Sequence, residues 1–216
     1  TRLATSLPRP ALAIDQSAKA AALAKFAINP QQPLLALCPG AEFGPAKRWP
    51  DQHFAKVAAT FAARGWQIGL FGSAKDEAIA GAIIAQVPEA LQSHCINLAG
   101  KTELAEAVDI MSQAAAVVSN DSGLMHIAAA LNRPLVVVYG STSPAFTPPL
   151  SDNVAIEQLE VDCGPCFKRE CPLPEKQRPM KCLIDLGPEK IITALDQLTA
   201  NHIDNGGNID TAPHTL

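Results

Sequence analysis

Ala114-Ala115-Ala116-Val117-Val118-Ser119-Asn120-Asp121-Ser122-Gly123-Leu124-Met125-His126 is the stretch that decides the fold. The apolar run 114–118 reads as a buried strand, Ser119 to Gly123 as a tight polar turn, and the alanine-rich continuation to Leu131 as a helix. Asn120, Asp121 and Ser122 are helix-capping residue types, and Gly123 lets a ligand approach the backbone closely. The free N–H groups of the first helical turn then face whatever lies beyond the strand, a natural seat for an anion such as a pyrophosphate. His126 follows Ser122 by four residues, on the same face and one turn further in, so it reaches the same bound group. Taken alone, these residues describe an ordinary capped helix with a packed histidine.

Working outward, the same cycle recurs. Leu34-Leu35-Ala36-Leu37-Cys38 predicts a strand, followed by a glycine- and proline-rich loop and a helix over 51–64 that Gly65 closes. A strand over 67–71, the loop Gly72-Ser73-Ala74-Lys75-Asp76 and a helix over 77–86 come next. A shorter strand over 95–98, the turn Ala99-Gly100-Lys101-Thr102, a helix over 103–113 and, after the opening stretch, a strand over 135–139 complete the pattern. Short apolar strands alternating with helices predict βαβ units, hence an α/β fold with a doubly wound parallel sheet, Rossmann-like, over 34–200. In such sheets ligands bind at the carboxyl ends of the strands, where every one of these loops lies. Residues 1–33, with prolines at 8, 10, 30 and 33 around one helical stretch at 15–26, read as a lead-in; 188–199 reads as a final helix and 201–216 as a mobile tail.

Composition narrows the function. At 216 residues, 48% hydrophobic and 18% charged, the chain suits one globular domain with appendages. No apolar run approaches the ~20 residues that span a bilayer. A net charge of −4 with no basic stripe argues against nucleic acid as a partner. The start at Thr1-Arg2-Leu3 reads as that of a fragment.

Two loops carry further chemistry. Cys38-Pro39-Gly40-Ala41-Glu42-Phe43-Gly44-Pro45-Ala46-Lys47-Arg48-Trp49-Pro50 sets two cations beside a helix start, where Lys47 can neutralise a phosphate. In isolation it also reads as a solvated Lys-Arg pair beside a packed tryptophan. Gly40 and Gly44 lack the third glycine of a dinucleotide fingerprint, and Gly100-Lys101-Thr102 supplies only the end of a P-loop. Ser122 lies outside a G-x-S-x-G elbow, which disfavours a Ser-His-Asp hydrolase. Cys163, Cys166, Cys171 and Cys182 crowd into one loop, 163–182, and with Asp162 counted the surroundings carry a local excess of two positive charges. Their spacing is loose for a zinc ribbon, so a structural zinc site, reduced thiols and disulfides all stay open, with no metal ligand assigned.

The motifs Pro39 to Pro50, Leu70 to Asp76, Asn97 to Gly100 and Asn120 to His126, in that order, strongly resemble the ADP-heptose:lipopolysaccharide heptosyltransferases. The likeness runs over 34–150 and weakens over the cysteine loop. It implies a glycosyltransferase of GT-B fold, two Rossmann-like domains around a cleft, with this chain as the C-terminal, donor-binding domain. By that resemblance Lys47 contacts the donor phosphates, Ser122 and Gly123 cradle the pyrophosphate, Asp121 holds heptose hydroxyls and His126 supports the diphosphate. Asp76 and Thr102 then lie near the adenosine. The implied reaction moves L-glycero-D-manno-heptose from ADP-heptose to the first heptose of the inner core on Kdo-lipid A, with inversion. It needs no cofactor. The general base falls in a missing N-terminal domain, so no catalytic residue is assigned here and the fragment is expected to bind donor without turnover. The implied setting is cytoplasmic, at the inner face of the bacterial inner membrane, with peripheral membrane contact. Alternatives are a GT-B-shaped enzyme for another sugar nucleotide, a zinc-stabilised binding module and a non-catalytic Rossmann domain.

Overall fold

The elements follow in the order α1 (Gln16–Lys25), β1 (Leu34–Cys38), α2 (Asp51–Ala62), β2 (Gln67–Leu70), α3 (Glu77–Gln86), α4 (Glu89–Gln92), β3 (Cys95–Asn97), α5 (Leu104–Ser112), β4 (Ala114–Asn120), α6 (Gly123–Ala130), β5 (Leu135–Tyr139), β6 (Val154–Gln158), α7 (Lys181–Ile184) and α8 (Pro188–Asp204). This computed structural model describes residues 8–204. The strands form one parallel sheet in the order β3-β2-β1-β4-β5-β6.

β1 is buried from end to end because helices cover both faces of the sheet. Its alternate residues feed two separate cores. Leu35 and Leu37 join Ala116, Val118, Val136 and Val138 under α2, α3 and α8, where Phe54, Phe61, Ile83 and Leu195 are buried. Leu34, Ala36 and Cys38 join Val117, Leu135 and Val137 on the opposite face, under α1, α5 and α6. The chain reverses its direction of travel across the sheet between β1 and β4, which are neighbours although β2 and β3 separate them in sequence. Loops leaving the carboxyl ends of these two strands meet at this switch point, the position at which doubly wound sheets bind ligands.

The predicted doubly wound sheet is therefore present, with three differences. β6 pairs with β5 from Leu135↔Val154 to Tyr139↔Gln158 and was not expected; as an edge strand it is only partly buried and lacks the continuous apolar run of β1. The stretch read as a lead-in contributes α1, whose Ala22 and Leu23 are buried against the α5 side of the sheet. The α8 backbone runs through Asp204, over the first four residues of the stretch read as a mobile tail, and 205–216 lie outside the described residues.

The turn after β4 departs most from expectation. Ser122 occupies the N-cap of α6 but makes no side-chain capping hydrogen bond. Asn120 and Asp121 turn away from the helix altogether. Asn120 is fully buried and ties the two central loops together: its Nδ2 donates to the Pro39 carbonyl at 2.7 Å and its Oδ1 accepts from the Trp49 N–H at 3.1 Å. Replacing it strands a buried carbonyl and a buried amide, each worth about 1–3 kcal/mol. Asn120→Ala is accordingly expected to lower the unfolding free energy by at least about 2 kcal/mol in urea titrations, and Asn120→Asp, which cannot donate to Pro39, to do no better.

Candidate active site

Lys47 ends a short 3-10 turn, Pro45–Lys47, that follows β1, and it is buried rather than solvated. Its Nζ lies 2.6 Å from Asp121 Oδ2 and 3.4 Å from the Asp121 carbonyl oxygen. The side chains of the pair keep only 11% and 4% of their surface. Removing both charges from water costs several kcal/mol, which the short contact and the further hydrogen bonds on Asp121 offset. The Phe43 ring faces the same ammonium at 5.0 Å. The reading of a solvated Lys-Arg pair is thus corrected for Lys47, while Trp49 does pack as expected, 1% exposed with its indole N–H on the Leu186 carbonyl at 2.8 Å.

The first turn of α6 stands beside this pair in the chain. Ser122 is half-buried, its Oγ 3.3 Å from Ser119 Oγ, and Gly123 and His126 are exposed. Asp121, Ser122, Gly123 and His126 therefore occupy one corner of the sheet with Lys47. Asp76 and Thr102 lie on the loops after β2 and β3, further along the same edge. Asp76 is buried with its carboxylate turned inward, Oδ2 accepting from the Ser73 amide at 2.9 Å and the Ser73 hydroxyl at 2.8 Å. That side chain shapes its own loop. Thr102 is half-buried, next to Gly100, whose N–H donates to the Gly72 carbonyl at 3.0 Å, so the two loops abut.

The segment after β5 completes the corner. Thr142 and Thr147 both donate to the Asp121 carboxylate, at 2.6 and 3.1 Å. The Tyr139 hydroxyl donates to the Thr147 carbonyl at 2.6 Å; burial, and then the charge of Asp121, push that phenol well above its ordinary pKa and keep it a donor. The cysteine loop docks against the same place, with Arg169 carbonyl accepting from the Ala46 N–H at 3.0 Å and Phe167 N–H donating to the Ser141 carbonyl at 2.7 Å. A Cβ on Gly44 would stand 2.5 Å from that Arg169 oxygen, so glycine is required there. Cys163, Cys166, Cys171 and Cys182 are free thiols around one cavity of about 20 Å³, beside the buried, unpartnered hydroxyl of Ser141. Among the described residues no group of three or more His, Cys, Asp or Glu side chains forms a metal-holding cluster.

The sequence match decides what this corner belongs to: a family model, Glycosyltransferase family 9 (heptosyltransferase), covers residues 2–177. The chain belongs to glycosyltransferase family 9. Among its relatives, the lipooligosaccharide heptosyltransferase 2 of Haemophilus influenzae is 46% identical over 89% of this chain and 56% of that protein. The lipopolysaccharide heptosyltransferase 2 of Escherichia coli is 41% identical over 91% of this chain and 57% of that protein. The structure of the E. coli ADP-heptose lps heptosyltransferase II superposes with a TM-score of 0.82 at 40% identity, over 93% of this chain and 56% of that one. The family 9 chain spans a little over half the length of the curated relatives it matches.

Sequence reasoning missed Thr142 and Thr147, which complete this corner. The available signal was two hydroxyl residues just beyond the carboxyl end of a strand, at the sheet edge where ligand loops gather. The buried ion pair gives a direct stability test. Lys47→Met leaves an uncompensated buried carboxylate and is expected to cost about 3–5 kcal/mol by urea denaturation; adding Asp121→Asn, which removes the orphaned charge, recovers part of the loss.

Proposed function

We propose that this chain is the donor-binding half of a glycosyltransferase that moves L-glycero-D-manno-heptose from ADP-heptose to the first heptose of the lipopolysaccharide inner core on Kdo-lipid A, with inversion. The observation that carries the reading is the Lys47–Asp121 pair beside the amino end of α6, at the switch point between β1 and β4. The 41–46% identity to heptosyltransferases 2 supports the choice of substrate.

In this reading the pyrophosphate meets the N–H groups of Ser122 and Gly123 and the ammonium of Lys47, while the exposed His126 supports its outer oxygens. As ADP leaves, negative charge develops on its terminal phosphate. A helix amino terminus and a buried lysine are already aimed at that charge, so little reorganisation is needed when it forms. Asp121 accepts from the heptose. Asp76, through the loop it braces, and Thr102 border the adenosine. The acceptor hydroxyl attacks in line, opposite the departing ADP, and a general base takes its proton. That base belongs to the second domain of the GT-B pair, and no residue of this chain is given the role. The enzyme works in the cytoplasm at the inner membrane face, where the lipid-linked acceptor lies; among the described residues no helix is long and apolar enough to cross a membrane.

Calorimetric titration of the 216-residue chain is expected to show ADP-heptose binding in preference to ADP-glucose, with no heptose transfer to acceptor. Lys47→Ala is expected to weaken ADP binding about tenfold, the loss of about 1.4 kcal/mol. Undiminished ADP affinity in that variant, or heptose transfer by the chain alone, contradicts the reading.

A further inference from the structure

Asp121 is held by more than its lysine. Oδ2 accepts from Lys47 Nζ at 2.6 Å and from Thr142 Oγ1 at 2.6 Å, and Oδ1 accepts from Thr147 Oγ1 at 3.1 Å. Both threonines lie between β5 and β6, and side chains from those two strands brace their backbone. The Tyr139 hydroxyl donates to the Thr147 carbonyl, and Gln158 Nε2 donates to the Thr142 carbonyl at 2.9 Å. The two threonine hydroxyls are therefore fixed by the sheet and grip the carboxylate from both oxygens.

A carboxylate offers about four acceptor positions, two on each oxygen. Among the described residues Oδ2 has both filled, and Oδ1 has one filled. We propose that Thr142 and Thr147 are positioning residues that fix the plane of the Asp121 carboxylate, leaving one acceptor position on Oδ1 for a single sugar hydroxyl, and so set the sugar selectivity of the donor site. The proposal rests on the donor-site reading above and extends it to the residues that make the site selective. Asp121 keeps only 4% of its surface, so a partner cannot choose its direction of approach. An acceptor fixed in direction rewards a sugar whose hydroxyl meets it and leaves other sugars unpaired, the arrangement that gives polar sites their large discrimination. A carboxylate released from one threonine regains an acceptor position and turns about its own bond, and the reward for one hydroxyl geometry is lost.

The test is the ratio of dissociation constants for ADP and ADP-heptose, measured on the unmodified chain and on Thr142→Val, Thr147→Val, Thr142→Ser and Thr147→Ser. Valine keeps the shape and removes the hydroxyl; serine keeps the hydroxyl. The unmodified chain is expected to favour ADP-heptose, and each valine variant to cut that preference about fivefold or more while shifting ADP affinity less than about twofold. The serine variants are expected to retain it. Unchanged ADP affinity also reports that the variants are folded. A preference that survives both valines, or an equal loss of affinity for both ligands, overturns the positioning role alone. Absence of any preference in the unmodified chain overturns the donor-site reading and this proposal with it.

Discussion

One buried ion pair, Lys47 on Asp121 at 2.6 Å, joins the two halves of the doubly wound sheet at the point where the strand order reverses. Two charges so far from water persist only when each is satisfied in detail. The rest of the corner supplies that detail: Thr142 and Thr147 on the carboxylate, the Phe43 ring across the ammonium, and Asn120 behind them joining the loops that present both groups. The corner is built around this contact, and in the proposed donor site a bound diphosphate would share Lys47 with Asp121.

The same contact draws much of the surrounding chain together. Lys47 is reached by a turn whose Gly44 and Ala46 meet the Arg169 carbonyl, so the cysteine loop is seated against the site. Thr147 is held through Tyr139 and Thr142 through Gln158, which extends the bracing to the ends of β5 and β6. In the proposed donor-binding role such bracing would matter, because groups already oriented toward a leaving diphosphate stabilise its charge without moving as it forms.

Which parts of this were legible in the sequence follows from where the information lies. β1, β4 and β5 announce themselves as continuous apolar runs because both of their faces are covered. β6 has no such run, being a partly buried edge, and α4 is a single turn. Lys47 and Asp121 stand out in separate loops, and nothing local reveals that they touch: 74 residues separate them, and only the parallel register of β1 on β4 brings them together. Asn120 and Asp121 looked like helix caps because the residue types are the same; tertiary partners claimed both side chains instead. Asp76, which the resemblance sets near the adenosine, turns its carboxylate into its own loop. Thr142 and Thr147 carry no motif signature, since a hydroxyl acting on a carboxylate from another loop leaves no spacing pattern.

In the proposed donor site a nucleotide diphosphate sits on the first turn of α6 and shares Lys47 with Asp121. Amide hydrogen exchange of the chain with and without ADP tests this most directly. Protection concentrated on Ser122 to His126 and on the turn around Lys47, with little change along β6, is the predicted result. ADP binding that leaves those amides unprotected, or protects another edge of the sheet, would contradict it.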